Sequence, residues 1–272
     1  MGLKKFYIFG GCSFTDMPGS WARVIQEEVL GKTPSRNVSK SGSGNRFIAN
    51  AVIDCALKAE REGYVPDISV MWSAPSRVEF PIHEKDTPFA SQLFNRNKLA
   101  DNDFNPGLFC TESALGEFQR ITENYWLLNG GIVSEKTKWS DIEGIDLQYV
   151  DAFRSYMHYF WNQNNMWQQT LTNILLVQQM CELKGWDYRF TTFRAYVKEY
   201  KTWCANQFVT LQDEINWKKF LFTNIEDGGL REYTLDNLNT WDDGYDNHPS
   251  HEAHKDFVYN FWLLHHKGVY TC

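Results

Sequence analysis

The chain has 272 residues, with 27 Lys and Arg against 34 Asp and Glu and a formal net charge of −7. Without a long basic run, that balance argues against binding to a nucleic-acid backbone as the main activity. No apolar run reaches membrane-span length, and no charged-then-apolar leader precedes the first strand pattern. The expectation is synthesis in a cytoplasm, with no signal peptide and no membrane partner.

The stretch Lys4 to Thr15 reads KKFYIFGGCSFT. Phe6 to Phe9 is a short apolar, β-prone run that Gly10 and Gly11 break. A buried strand ending in two glycines and a small hydroxyl residue is how α/β folds place a nucleophile at the carboxyl edge of a parallel sheet. It is equally how an ordinary strand turns into a loop carrying an incidental serine. The spacing then predicts a helix over Trp21 to Leu30, with Trp21, Val24, Ile25 and Val29 inward, Ser20 as N-cap and Gly31 as stop. A second strand is expected over Arg36 to Ser39. A helix follows over Asn45 to Glu62, with Ile48, Val52, Ile53, Cys55, Ala56 and Ala59 on its inner face, and a third strand over Asp67 to Trp72. This alternation implies a parallel sheet with right-handed crossovers, and ligands that gather at the carboxyl ends of its strands. Ser13, Gly42 and the residues after Trp72 all fall at such ends.

Residues 78 to 150 interrupt the pattern. Polar loop signals separate short aromatic pieces such as Phe118 to Leu128, which reads as an inserted cap beside the active edge or as an oligomer contact. The helical period returns over Asp151 to Leu183, with Trp167, Leu171, Ile174, Leu175, Gln178 and Cys181 inward. Trp186 to Phe193 alternates as a fourth strand. A helix is expected around Lys198 to Lys218, a fifth strand over Lys219 to Thr223, and a closing helix over His251 to His265, with Phe257, Phe261, Trp262 and Leu264 inward. The whole predicts one domain, a three-layer α/β/α sandwich on a mainly parallel sheet of about five strands.

Six cysteines, at positions 12, 55, 110, 181, 204 and 272, form no CxxC pair and no zinc-like cluster with nearby histidines, as expected of reduced thiols. His248, His251 and His254 lie close together, but DNHPSHEAH matches no HExxH helix and Pro249 interrupts it, so neither metal nor cofactor is expected. Aromatics reach 16%, including 11 Trp. They fill a core first, and beyond that stack on sugar rings or cover a subunit interface.

An early serine after strand one and a late Asp246-Asn247-His248-Pro249-Ser250 before a final helix resemble the SGNH (GDSL-like) hydrolases, and the compact Asp-x-His-Pro-Ser form is similar to phage-encoded members. Asn37 to Asn45, NVSKSGSGN, resembles the second family block, and Asp67 to Arg77, DISVMWSAPSR, stands where the third belongs. The resemblance covers about residues 4–77 and 186–265. It implies a flavodoxin-like fold and an esterase that removes an O-acyl group from a small-molecule or carbohydrate ester. Ser13 would be the nucleophile, His248 the general base and Asp246, or else Asp243, the orienting carboxylate. Oxyanion donors would come from the Ser13 and Gly42 amides. This chain departs from the family at Cys12, where an Asp is usual, and at Tyr245, three before the histidine, where the carboxylate usually stands. The third block lacks its Asn, so Ser73 or Ser76 would supply the hydrogen bond, with Arg77 as a further positive charge. Trp72 and Asn45 complete the expected substrate-binding set. The alternative reading is an SGNH-like structural or binding protein, such as a virion component, whose partners are copies of itself or other particle proteins. In that reading DNHPS is a solvated turn that caps the last helix through Ser250.

Overall fold

The computed structural model describes residues 4–75, 77–83, 108–109, 124–129, 155, 159, 163–195, 209–223, 228–237, 248–267 and 269–270. Strands β1 (Lys4–Gly10), β2 (Ser35–Asn37) and β3 (Tyr64–Trp72) come first, joined by α1 (Ser13–Asp16), α2 (Trp21–Val24) and α3 (Asn45–Arg61). Three short strands follow, β4 (Val78–His83), β5 (Leu108–Phe109) and β6 (Asn124–Asn129). The long helix α4 (Gln163–Lys184) leads into β7 (Asp187–Thr192). Helices α5 (Val209–Asp213), α6 (Leu230–Asn237) and α7 (His251–Phe257) complete the order, with a last helical turn, α8, over Leu263–His265.

Four strands form one parallel sheet in the order β2-β1-β3-β7. Apolar runs build its centre. Ile8, Phe9, Ile68 and Val70 are fully buried, as expected of strands covered on both faces. Tyr7 pairs with Asp67, and Gly10 with Val70. The chain leaves β1 toward β2 and then crosses back over β1 to β3. Right-handed crossovers in opposite directions put their helices on opposite faces. Accordingly α3 and α4 pack together on one face, with Val52 of α3 directly over Gly10. Trp21 of α2 and Trp262 of the closing helix meet on the other, ring centres 4.9 Å apart. A reversal of this kind, between β1 and β3, is where open α/β sheets place their ligand crevices, at the carboxyl ends of the strands.

A buried polar network crosses the second face. Asp67, 1% exposed, accepts from Arg189 at 2.5 Å and from Lys5 at 2.8 Å. Arg189 also donates to Ser69 Oγ at 3.1 Å and lies near the Tyr270 hydroxyl, which meets Ser69 at 2.9 Å and takes the Trp262 indole N–H at 2.8 Å. Burial alone would lower the Arg189 pKa, but the Tyr270 and Asp67 oxygens outweigh it and raise it. The thiols of Cys55 and Cys181 are pushed up to about 12 by burial, which leaves them protonated and inert at neutral pH.

Several expectations are corrected. Lys219 to Thr223 is not a fifth strand. Lys219 closes a 3₁₀ turn over Trp217–Lys219, and Phe220 makes one isolated parallel bridge to Phe190. Helix α2 continues as a π-helix over Ile25–Leu30, and α7 continues as one over Val258–Trp262. Wider i→i+5 winding rotates the later residues relative to a 3.6 period. Leu30 is therefore buried where Val29 was expected, and Val258 is buried while Leu264 is 52% exposed. On α3, Ile53 is only half-buried, and on α4 Val177 takes the inward place expected of Leu175. Within 78–150, β4, β6 and β5 form a separate antiparallel sheet. The expected position of that insertion over the active edge, and most of the helix around 198–218, fall outside the described residues. Among the described residues, no helix is long and apolar enough to cross a membrane.

Candidate active site

Ser13 opens α1 directly after β1, at the β1–β3 reversal point. The turn is tight because Gly11 carries no side chain. A Cβ there would stand 2.1 Å from Thr15 Oγ1 and 2.7 Å from Thr15 Cβ. The Cys12 carbonyl accepts the Thr15 and Asp16 amides, both at 2.9 Å, which locks the first turn. Ser13 itself is 9% exposed.

His248 reaches Ser13 from the opposite end of the chain, with Nε2 2.7 Å from Ser13 Oγ. Two features hold the imidazole. Its ring lies on Phe14, centres 4.5 Å apart, and Phe14 stacks on Phe193 at 4.4 Å. Behind it, Pro249 is buried and Ser250 caps α7, accepting the Ala253 amide at 3.2 Å. The turn is thus a helix cap, as the alternative reading expected, and also carries His248 to Ser13. For the Ser13 hydroxyl to donate to Nε2, the ring proton must sit on Nδ1. Asp246 and Asp243, expected at that nitrogen, lie outside the described residues, as does Ser76.

The turn around Gly42 is tied to the same place. Gly42 has φ of 83°, a left-handed conformation that glycine adopts without the strain of a Cβ. The Ser41 amide and hydroxyl both donate to Asp16 Oδ2, at 2.8 and 2.9 Å. Ser43 Oγ and the Lys40 amide donate to the Gly11 carbonyl, at 3.0 and 3.2 Å. Asp16, one turn after Ser13, therefore joins the Ser13 helix to the Gly42 turn. The sequence reading missed it. Its signal was an acidic residue three positions after the serine, on the same short helix.

At the end of β3, Ser73 is 1% exposed, and its Oγ is buried with no hydrogen-bond partner. Its amide donates to Asn45 Oδ1 at 2.8 Å, and Asn45 Nδ2 donates to the Ser73 carbonyl and to Thr170 Oγ1, both at 3.1 Å. The Asn45 carboxamide is thus taken up in holding Ser73. Trp72 is 1% exposed, and its indole nitrogen has no partner. Arg77 donates to the Ser43 carbonyl at 3.1 Å and lies 6.0 Å above the Phe193 ring. Phe14 and Phe193, which wall this region, were not singled out by the sequence reading, because aromatic residues at strand ends read as core.

The other two histidines of the cluster go elsewhere. His251 Nδ1–H donates to the Gly19 carbonyl at 2.8 Å. His254 Nδ1 accepts the Trp21 amide at 3.2 Å. Burial, helped by His248 and His251, lowers the His254 pKa to about 3, so the ring is neutral. Among the described residues, no group of three His, Cys, Asp or Glu side chains is placed to hold a metal ion.

A serine hydroxyl bonded to an imidazole nitrogen, beside a glycine turn, has the arrangement that acyl transfer uses. Compared with protein-family models, with curated proteins and with solved structures, the chain finds no match in any of the three.

Proposed function

We propose that the chain is a serine esterase-type hydrolase of the SGNH kind, which removes an O-acyl group from a small-molecule or carbohydrate ester. The observation that carries this reading is the 2.7 Å contact of His248 Nε2 with Ser13 Oγ, between residues 235 apart in sequence. Residues so distant have no folding requirement to meet side chain to side chain at the carboxyl edge of a sheet, whereas acyl transfer requires it.

In the proposed cycle Ser13 Oγ attacks the ester carbonyl carbon, and its proton passes to His248 Nε2. The oxyanion that forms is met by the Ser13 and Gly42 amides and by the Ser73 hydroxyl. Collapse breaks the bond to the alcohol oxygen, which takes the proton from His248. Water, deprotonated by the same nitrogen, then releases the acid and restores Ser13. Asp246, or Asp243, orients His248 in this scheme. Residues 78–150 shape the acceptor side or an oligomer contact, and no cofactor takes part.

A second reading, a weak or inactive SGNH-like structural or binding protein such as a phage-particle component, is favoured by one observation. The Ser73 amide is already bound to Asn45, so a single hydroxyl stands where the family has a side-chain amide. Loss of one oxyanion donor costs about 2.7–4 kcal/mol, which slows such an enzyme without abolishing it.

The deciding experiment is fluorophosphonate labelling of the purified chain, located by peptide mass. Covalent modification at Ser13, absent from Ser13→Ala and strongly slowed in His248→Ala, supports the esterase. A folded chain that resists labelling supports the second reading.

A further inference from the structure

The Ser13 site has a neighbour that the proposed cycle leaves unused. Arg46 and Arg77 border a shallow recess between the starts of α3 and α4, with Asn45, Gln169, Thr170 and Asn173 as its other polar lining. Among the described residues, no carboxylate lines it. The amide nitrogens of Asn45, Gln169 and Asn173 already donate within the fold. The character of the recess therefore comes from its two guanidinium groups. Arg46 stands in the first turn of α3, where the helix's own field disfavours a cation. Among the described residues Arg77 has a carbonyl, that of Ser43 at 3.1 Å, and not a carboxylate as its partner. A guanidinium carries five N–H donors in a planar fork shaped for carboxylate or phosphate, so one carbonyl leaves most of them unspent.

Arg77 is tied to both flanks of the Ser13–His248 pair. On one flank its partner Ser43 follows Gly42, and Ser43 Oγ donates at 3.0 Å to the carbonyl of Gly11, two residues before Ser13. On the other flank the guanidinium lies 6.0 Å from the Phe193 ring centre. Phe193 stacks on Phe14 at 4.4 Å, and Phe14 lies 4.5 Å from the His248 ring. We infer that the substrate of the Ser13 site is an anionic ester, whose carboxylate or phosphate group is held by Arg77 and Arg46. The inference rests on the esterase reading, and it gives Arg77 a task other than meeting the oxyanion. The recess has a free volume of about 10 Å³, and a water-sized group needs roughly 10–15 Å³ on the same measure. It seats one oxygen of an anion and leaves the body of the substrate outside. On a chain of net charge −7 an anionic substrate otherwise meets repulsion, which a local pair of cations offsets.

The test is hydrolysis of 4-acetoxybenzoate, 4-acetoxyphenyl phosphate and the neutral methyl 4-acetoxybenzoate by the wild-type chain, by Arg77→Gln and by Arg46→Gln. All three esters release acetate, and dividing each kcat/KM by the ester's own rate of alkaline hydrolysis removes leaving-group differences. The expected result is that one anionic ester exceeds the neutral one by about 10-fold or more, and that this ratio falls by a similar factor in each folded variant. The better of the two anions identifies carboxylate or phosphate. Added salt should lower the wild-type ratio as well. If Ser13 takes fluorophosphonate but the wild type prefers neither anion, or cleaves neither, the anion site is overturned and the esterase reading stands. That measurement needs no variant to fold. If Arg77→Gln slows charged and neutral esters equally, Arg77 serves the oxyanion and the inference fails. If Ser13 takes no fluorophosphonate and no ester is cleaved, the esterase reading fails and the inference fails with it.

Discussion

Two polar clusters in this molecule join residues far apart in sequence, and they are built on opposite principles. The first runs through Lys5, Asp67, Arg189, Ser69, Tyr270 and Trp262 on one face of the sheet. There the Asp67 carboxylate has a cation on each oxygen, and the Tyr270 hydroxyl meets both Ser69 and the Trp262 indole. The second lies at the carboxyl edge, where Ser13 and His248 meet beside buried Ser73 and Trp72 atoms that have no partner. A network that only holds a fold gains most when every member is satisfied. In the proposed esterase, the site that must receive a substrate keeps donors uncommitted and is held in place by its surroundings. Here those surroundings are Asp16 under the Gly42 turn and the Phe14–Phe193 stack under His248.

The comparison breaks apart most sharply under substitution. Ser13→Ala should lower kcat/KM on a cleavable ester by about 10⁴-fold or more. Its unfolding free energy should stay within about 0.5 kcal/mol of wild type, as chemical denaturation will show. Asp67→Ala should do the reverse. It leaves Arg189 buried without its carboxylate and should cost about 3–5 kcal/mol of stability. Ser13 labelling per folded molecule should be unaffected. A double replacement, Asp67→Leu with Arg189→Leu, should recover much of that loss, since an apolar pair of similar volume pays no charge-burial cost.

A pH dependence separates the two clusters from a third buried polar group. His254 is held neutral with a pKa of about 3, against 6.5 for an ordinary histidine. Below about pH 6.5 the unfolded chain binds a proton that the folded chain refuses, so stability falls as the pH drops from there toward 3. The slope approaches about 1.4 kcal/mol per pH unit for this one group. Denaturation curves between pH 7 and pH 4.5 should show it, and His254→Asn should remove that share. The smallest effect belongs to Asp16→Asn. The weakened clamp on Ser41 should lower kcat by about 10-fold, equivalent to about 1.4 kcal/mol, with little change in KM. A change in KM alone would assign Asp16 to substrate binding.

Strands β1, β3 and β7 and helix α3 were readable because each combines one strong period with a glycine or proline boundary. Ser13 and His248 were readable as a pair only because two short motifs stand at opposite ends of the sequence. Trp262 of the closing helix lies inward as expected, but Leu30 of α2 was missed and Leu264 misplaced, because the periodic argument assumes a constant winding. Both helices change winding midway, which moves Leu30 inward and Leu264 outward. Asp16 was missed for another reason. Its place three positions after Ser13 was visible, but its partner, Ser41, is brought to it by the fold across 25 residues.

The stretch that failed to become a fifth strand has a use of its own. An open sheet edge presents unpaired backbone groups on which strands of other molecules can add, the usual start of aggregation. Here one edge is β2, only Ser35-Arg36-Asn37, short and polar with a cation at its middle. Beside the other edge strand, β7, lies residue Leu221, whose amide donates to the Phe190 carbonyl at 2.8 Å while its carbonyl accepts the Thr191 hydroxyl at 2.9 Å. A single bridge is too little to extend the sheet, but it occupies the position a neighbouring molecule would need. The chain thereby guards both margins of its sheet against its own copies without closing the sheet into a barrel.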